Sequence, residues 1–587
     1  MLQQLQERHD EDPTASSPVA SAHGFRVDVD QVSRRVKVRR GTDVTLLDRA
    51  CFAIASGELV AIVGPSGSGK TTMLEAIAGV APITSGSVRF DDTELHTNLR
   101  RFRGEIGYVP QDDIIHAELA LRRTLRYAAR LRLPSSTTAT QLDDAVAAAL
   151  DAVGLTAHAD VRVGSLSGGE RKRASIAVEL LSEPRVFFLD EPTSGLDPVT
   201  SADLVTHLRK LADRSSTVIF TTHSIADLAH ADRIVFMARG GRVAYVGTID
   251  EALDEFGVSS VAELYGRLAD GHAVSHVARI DGTAPARGAG IAVTRHTNSR
   301  PVASGFTQWV ALSRRTVETL VRNPLTLAIL LGSPALVIGM FAVLFRPGAF
   351  DFQHPSPSSM VIIGYWVVFA AFFFGLTYGL LQICTERAIL RRERVVGLRL
   401  GAYVASKMSV LVPIVLAVIM AMLGVLRLLD RLPARSLSTY ASMTTTLLLC
   451  SIAALALGLL ASASVGNVSQ ATLALPMLCF PAVLFGGAIL PVHLMARAGA
   501  AFSALMPSRW AFEAIGHDIG ARRILAHGGS QLGPPLLASF GDAGNASTGT
   551  YWVILAAFAV ALLTATWGVL VRSTRGATSG TRALRHQ

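Results

Sequence analysis

Cysteine is scarce in this chain of 587 residues: four, at Cys51, Cys384, Cys450 and Cys479, far apart and with no C-x-x-C pair. That spacing supports neither a zinc site nor a disulfide framework, and the apolar neighbours predict buried thiols. Charge is sparse as well, at 17% of residues, and it is unevenly spread. Past Leu325 long apolar stretches run with almost no charge, which excludes a soluble protein throughout. Residues 1–22 are polar, contain an acidic run and lack an apolar stretch, so they predict a disordered cytoplasmic tail rather than a secretory signal. The formal net charge of +9 invites a nucleic-acid partner. Near the apolar segments, however, the basic residues gather in loops, which points to membrane topology instead, and no nucleic acid is expected.

What is present divides the chain by solvent. Residues 23–270 alternate short apolar strands, such as Leu59–Val63 and Val186–Leu189, with glycine loops and helical patterns, the signature of an α/β nucleotide-binding domain. Residues 271–305 are rich in Gly, Ala, Pro and Thr and predict a linker. Residues 306–323 predict an amphipathic connecting helix, with Phe306, Trp309, Leu312, Val317 and Leu320 near one stripe and Arg314, Arg315 and Arg322 largely outside it. Residues 324–572 then predict an all-α membrane domain of about six spans, at 325–345, 360–384, 410–428, 442–463, 473–490 and 551–570. Pro476 and Pro481 predict that the fifth is bent or broken.

Arginine sets the expected orientation. The loop 385–407 carries Arg387, Arg391, Arg392, Arg394, Arg399 and Lys407, and the tail 573–587 carries Arg575, Arg582 and Arg585, so both are expected in the cytoplasm with the N-terminal domain. Arg427, Arg431 and Arg435 run against this rule, since six spans put their loop outside. The abundance of Arg over Lys and of Ala suggests a GC-rich bacterial genome, and hence a plasma (inner) membrane.

The chemistry begins at Gly64-Pro65-Ser66-Gly67-Ser68-Gly69-Lys70-Thr71-Thr72, a G-x-x-x-x-G-K-[ST] loop following an apolar strand. Its glycines let backbone N–H groups approach phosphate at a helix N-terminus; Lys70 neutralises phosphate charge and Thr71 offers a hydroxyl to Mg²⁺. The strand Val186–Leu189 ends in Asp190 and Glu191, one carboxylate suited to the Mg²⁺ shell and one to the attacking water. ATP and Mg²⁺ are the cofactors this pattern implies.

Between them lies Leu166-Ser167-Gly168-Gly169-Glu170, which resembles the signature sequence of ATP-binding cassette proteins. Gln111, the Ser194-Gly195-Leu196-Asp197 stretch and His223 are similar to that family's glutamine loop, aspartate loop and switch histidine, in the same order. The cassette precedes the membrane half, Arg171-Lys172-Arg173 continues the signature, Arg322-Asn323-Pro324 closes the connecting helix and Pro507-Ser508-Arg509-Trp510 precedes the last span. By these features the chain resembles the G subfamily of half-transporters. In place of the Tyr that stacks on adenine in many cassettes, the stretch 32–40 offers only arginine planes such as Arg34 and Arg35.

The resemblance implies a further set of roles. ATP would sit between the phosphate loop of one copy and Ser167, Gly168, Gly169, Glu170 and Asp197 of another, so a second copy is the expected partner, simplest as a homodimer. Gln111, Glu191 and His223 would be catalytic, with Gln111 also joining Thr71 and Asp190 at Mg²⁺. Glu386, Arg387, Glu393 and Arg394 would transmit closure to the spans, although a loop that merely fixes topology fits them equally. Phe374, Phe480 and Val483 would wall a cavity for an apolar or amphipathic substrate moved outward among membrane lipids. Phe485-Gly486-Gly487-Ala488-Ile489-Leu490 resembles the subfamily's apolar plug. A membrane-anchored ATPase with a regulatory or envelope-remodelling role and no cargo is the alternative.

Overall fold

The computed structural model describes residues 24–37, 43–99, 101–102, 104–214, 216–269, 303–541 and 546–575. The expected tail at 1–22, the linker up to 302 and the tail beyond 575 lie outside them. The described residues of Met1–Asp112 and Ser182–Ser299 form one compact unit, and those of Asp113–Leu181 with Arg300–Ser579 form another.

In the first unit, β1 (Val27–Lys37), β2 (Asp43–Ile54), β4 (Ser85–Phe90) and β5 (Thr93–Glu94) make an antiparallel sheet in the order β2-β1-β4-β5. A second sheet runs β10-β9-β3-β8-β7-β6, from β3 (Leu59–Val63), β6 (Ile106–Val109), β7 (Val186–Leu189), β8 (Thr217–Thr221), β9 (Arg233–Ala238) and β10 (Arg242–Gly247). All its neighbours are parallel except β9 and β10. Every residue of β3, β7 and β8 is buried, as continuous apolar runs must be when both faces of a parallel sheet are covered. The helix α1 (Lys70–Ile77) follows β3 directly and packs Met73, Leu74 and Ile77 into the core with Val60, Ile62 and Phe188.

The second unit starts within the expected nucleotide-binding region. It contains α2 (Leu121–Arg132), α3 (Ala139–Ala152) and α4 (Gly168–Leu180), whereas α5 (Pro198–Asp213), α6 (Ile249–Phe256) and α7 (Val261–Ala269) belong to the first unit. The grouping has a physical cause. Leu131 of α2 shares a core with Ala311 and Leu312 of α8 (Gly305–Arg322), and Tyr127 donates its hydroxyl to Glu318 at 2.7 Å.

On α8 the buried residues are Gln308, Ala311, Leu312, Arg315 and Thr316, while Phe306 and Val317 are exposed. Of the expected stripe, Leu312 is thus buried in the protein while Phe306 and Val317 stay exposed. Arg315, expected outside it, is 4% exposed because it forms a bidentate pair with Glu393.

The remaining helices follow as α9 (Pro324–Leu344), α10 (Pro357–Leu380), α11 (Arg387–Val395), α12 (Leu400–Leu428), α13 (Leu437–Ser464), α14 (Val468–Leu484), α15 (Arg497–Ala504), α16 (Pro507–Asp518), α17 (Ala521–His527), α18 (Gly533–Ala538) and α19 (Thr548–Arg575). Among the described residues, five are long and apolar enough to cross a membrane, and α14 is a shorter apolar sixth. α10 and α13 meet through glycine. A Cβ on Gly375, Gly379 or Gly458 would run into the carbonyl of Ser451, Leu455 or Leu376, and the Ser451 hydroxyl donates to Ala371 O at 2.7 Å.

α14 stops at Leu484, so residues 485–490 of the expected fifth span are not helical. Its last carbonyls are met by hydroxyls: Tyr365 reaches Ala482 O and Val483 O at 3.0 and 2.8 Å, and Ser508 reaches Ala482 O at 3.1 Å. Ser503 reaches Phe485 O at 2.7 Å. Two of the contrary arginines cap helices in the same way: Arg431 donates to Ala342 O at 3.1 Å and Arg435 to Ile519 O at 2.9 Å, both at C-terminal ends where positive charge is favoured.

Candidate nucleotide site

Strand β3 delivers the chain into the loop at Gly64, and α1 takes it away at Lys70. Only glycine fits two of the corners. A Cβ on Gly64 would strike Met237 O, and Gly69 sits at φ 93° with a Cβ position 2.9 Å from Leu46 O. Ser66 and Gly67 are exposed at the tip and Pro65 is half-buried. Ser68 is buried, and its hydroxyl has no hydrogen-bond partner among the described residues. Lys70 Nζ donates to Gly64 O at 2.9 Å and Pro65 O at 3.3 Å. Burial holds its pKa below the ordinary lysine value, and the nearby Glu191 and Asp190 carboxylates partly offset that.

From α1, the Thr71 hydroxyl donates to Asp190 Oδ1 at 3.1 Å, with Thr72 half-buried beside it. The same Asp190 oxygen accepts from Thr221 Oγ1 at 2.7 Å. Thr221 in turn accepts the Glu191 N–H at 2.8 Å, which holds Glu191 in a left-handed conformation at φ 44° that a non-glycine residue rarely adopts. Gln111 Nε2 donates to Glu191 Oε2 at 3.1 Å, and His223 Nδ1 lies 3.7 Å from that oxygen. Three residues chosen from the sequence for catalysis therefore meet at one carboxylate oxygen.

Behind them, Asp227 accepts from Thr193 at 2.6 Å and Thr222 at 2.7 Å, pinning the segments that follow Glu191 and precede His223. The sequence reading missed both Thr221 and Asp227. Thr221, which closes β8, and Thr193, in the loop after Glu191, were the available signal.

A hydroxyl and a carboxylate 3.1 Å apart suit Mg²⁺, which takes hard oxygen ligands and keeps positions for phosphate and water. No group of three or more His, Cys, Asp or Glu side chains forms a metal site among the described residues. Arg34, one candidate adenine stacker, pairs with Glu75 at 3.1 Å.

The signature turn belongs to the second unit. Ser167 caps α4: its hydroxyl accepts the Glu170 N–H at 3.3 Å, while Glu170 Oε2 accepts the Ser167 N–H at 2.8 Å. These bonds hold the Glu170 pKa below the usual carboxylate range. Ser167 and Gly168 stay exposed at the helix N-terminus, and Gly169 is buried. In the first unit Asp197 caps α5, accepting from Val199 N at 3.1 Å and Thr200 N at 3.0 Å. Glu170 and Asp197, expected among the nucleotide contacts, thus each satisfy a helix terminus in the single chain.

Comparison with known proteins supplies the family. Residues 47–194 match the family model described as ABC transporter, and residues 307–516 match that described as ABC-2 type transporter. The chain belongs to the ATP-binding cassette family, cassette first.

The cassette protein is 35% identical over 384 residues to the ABC transporter ATP-binding/permease protein Rv1747 of Mycobacterium tuberculosis, covering 63% of this chain and 43% of that one. It is 38% identical over 229 residues to the ABC transporter G family member 22 of Arabidopsis thaliana, covering 38% of this chain and 30% of that one. The match thus spans less than half the length of these curated relatives. Among solved structures, a dimeric cassette, MJ0796, aligns with a TM-score of 0.36 at 26% identity, over 38% of this chain and 98% of that one.

In the cassette protein's second unit, α11 carries the expected coupling residues. Glu393 pairs with Arg315, Glu386 accepts from Lys407 at 2.9 Å and Tyr403 at 3.1 Å, and Arg394 donates to Leu398 O at 2.6 Å. Arg387 donates to Val465 O. The Lys407 and Arg315 charges help hold the Glu386 carboxyl down to about 2 against the opposing effect of its burial. Sequence reasoning missed Arg392, which reaches Glu179 of α4 at 2.6 Å and Ser175 O at 2.8 Å.

The expected substrate wall does not assemble in the single chain. Phe374 is fully buried in the helical core, stacked on Tyr378, while Phe480 is exposed and Val483 half-buried. Phe374 belongs to the buried core of the helical unit, with Phe373 and Tyr378 as its ring neighbours.

Proposed function

We propose that this chain hydrolyses ATP with Mg²⁺ and couples the cycle to export of an apolar or amphipathic substrate, as half of a homodimer in the plasma (inner) membrane. The observation that carries the reading is the convergence of Gln111 and His223 on Glu191, beside a phosphate loop joined to Asp190 through Thr71. Phosphoryl transfer is catalysed by positioning and electrostatics, and this arrangement supplies both. The loop N–H groups and Lys70 hold the phosphates, and Glu191, its side chain fixed by Gln111, orients water and accepts its proton. Mg²⁺, held by Thr71 and Asp190 with Gln111 beside them, would offset phosphate charge.

The exposed Ser167-Gly168 turn supports a partner copy, because a helix N-terminus facing outward is ready to bind phosphate held by another chain. On α14, Leu473, Met477, Phe480 and Leu484 are exposed at helical spacing, an apolar stripe suited to lipid, substrate or the partner. The cassette, the segment 385–407 and both termini lie in the cytoplasm in this reading.

The test is reconstitution in lipid vesicles. ATP turnover per chain should fall on dilution below the dimer's dissociation constant, and labelled lipids or amphiphiles should move only with ATP. Full turnover by isolated protomers would remove the dimer; turnover without vectorial movement of any amphiphile would favour a regulatory ATPase.

A further inference from the structure

The proposed cycle makes no use of a cavity at the junction of α2, α4, α8 and α11, all in the second unit. His116, Arg132, Arg315, Arg392 and Glu393 contribute its polar lining, and its free space is about 20 Å³. That is room for one water or one small ion. Two nitrogens on the lining residues, His116 Nε2 and Arg132 Nε, are buried and have no hydrogen-bond partner among the described residues. Such orphans are rare in folded proteins and call for an explanation.

Charge supplies one. Around the cavity Arg132, Arg315, Arg392 and Lys407 face Glu179, Glu386 and Glu393, and no side chain of the seven is more than 15% exposed. Four cations thus meet three carboxylates. The imbalance is local: Glu179 Oε1 alone receives both Arg132 and Arg392, each at 2.6 Å, while Arg315–Glu393 and Lys407–Glu386 are closed pairs. Arg392 spends its other N–H groups on Ile114 O and Ser175 O, both at 2.8 Å, which satisfies donors without adding negative charge. Nearby, Lys172 and Asp113 face each other at 3.9 Å and add no net charge. Burial, aided by Arg315, pushes the His116 pKa down to about 4, so its ring is neutral at pH 7 and can offer one N–H.

We propose that this cavity binds one small monovalent anion of the halide class, accepting from Arg132 Nε–H and from His116 Nε2–H. Water would satisfy the two donors but leave the surplus charge buried and uncompensated. The narrow space favours a single-atom ion over a tetrahedral oxyanion. The anion completes the charge balance where α11 meets α2 and α4, so it is a structural ligand of the coupling segment.

The experiment is thermal unfolding of the full chain in detergent, in chloride, bromide or gluconate at matched ionic strength. Chloride and bromide should raise the melting temperature saturably, by about 2 °C or more, and gluconate should not. Arg132→Gln removes both the surplus charge and the Nε donor and should abolish the halide-specific rise. His116→Leu removes one donor without altering charge and should weaken halide affinity roughly 10-fold, which keeps the test sound if the arginine variant fails to fold. Equal melting of the wild-type chain in all three salts would mean water or nothing in the cavity and overturn the proposal. An undiminished halide response in the folded variants would overturn it equally.

Discussion

The phosphate loop and the end of α14 are both places where the backbone stops pairing with itself, and the protein treats them in opposite ways. At residues 64–70 the chain turns through glycines with an exposed tip, and the Ser68 hydroxyl has no partner among the described residues. At residues 482–485 the carbonyls of Ala482, Val483 and Phe485 are taken by Tyr365, Ser503 and Ser508. In water an open polar backbone costs little and can serve recognition. In an apolar surround it must be satisfied within the protein, and hydroxyls from other helices do this without bringing charge.

Breaking the first region should cost function far more than fold. Glu191→Gln should lower ATP turnover by roughly 1,000-fold while leaving ATP bound, because the amide keeps the shape and loses the base. A phosphate-release assay beside nucleotide binding checks both, and wild-type turnover would take Glu191 out of catalysis. Lys70→Ala should weaken ATP affinity by roughly 100-fold through loss of a charge held among phosphate-facing groups. Unchanged affinity by equilibrium dialysis would contradict the role of the loop.

Breaking the second region should cost fold first. Gly379→Val forces a branched side chain onto the Leu455 carbonyl and should destabilise the membrane half by about 2 kcal/mol or more, read as a lower melting temperature in detergent. Tyr365→Phe leaves the carbonyls of Ala482 and Val483 short of a donor and should cost about 1–2 kcal/mol. If Tyr365→Phe melts like the wild type, the contrast between the two regions loses its physical basis.

How much of this was legible depends on where each residue's partner lies. The strands Leu59–Val63 and Val186–Leu189 and the phosphate loop read directly, because their chemistry dictates residue types at fixed local spacing. Pro476 and Pro481 predicted a bent or broken helix, but α14 runs unbroken through both and ends at Leu484. The buried face of α8 could not be read from period alone. Arg315 turns inward for Glu393, a partner from a distant helix that no window of sequence contains. Arg431 and Arg435 looked like exceptions to a topology rule when counted as loop charges. In the fold they close the ends of other helices. The glycines of α10 were visible as Gly375-x-x-x-Gly379, yet the aromatic residues around them drew attention to a substrate wall instead.

The meshing of α10 with α13 has a mechanical consequence. The carbonyls of Ser451, Leu455 and Leu376 each lodge in a notch left by a missing methyl on the facing rod, so a slip of a single residue would ram Cβ atoms into peptide oxygens. The pair must therefore swing as one stiff lever.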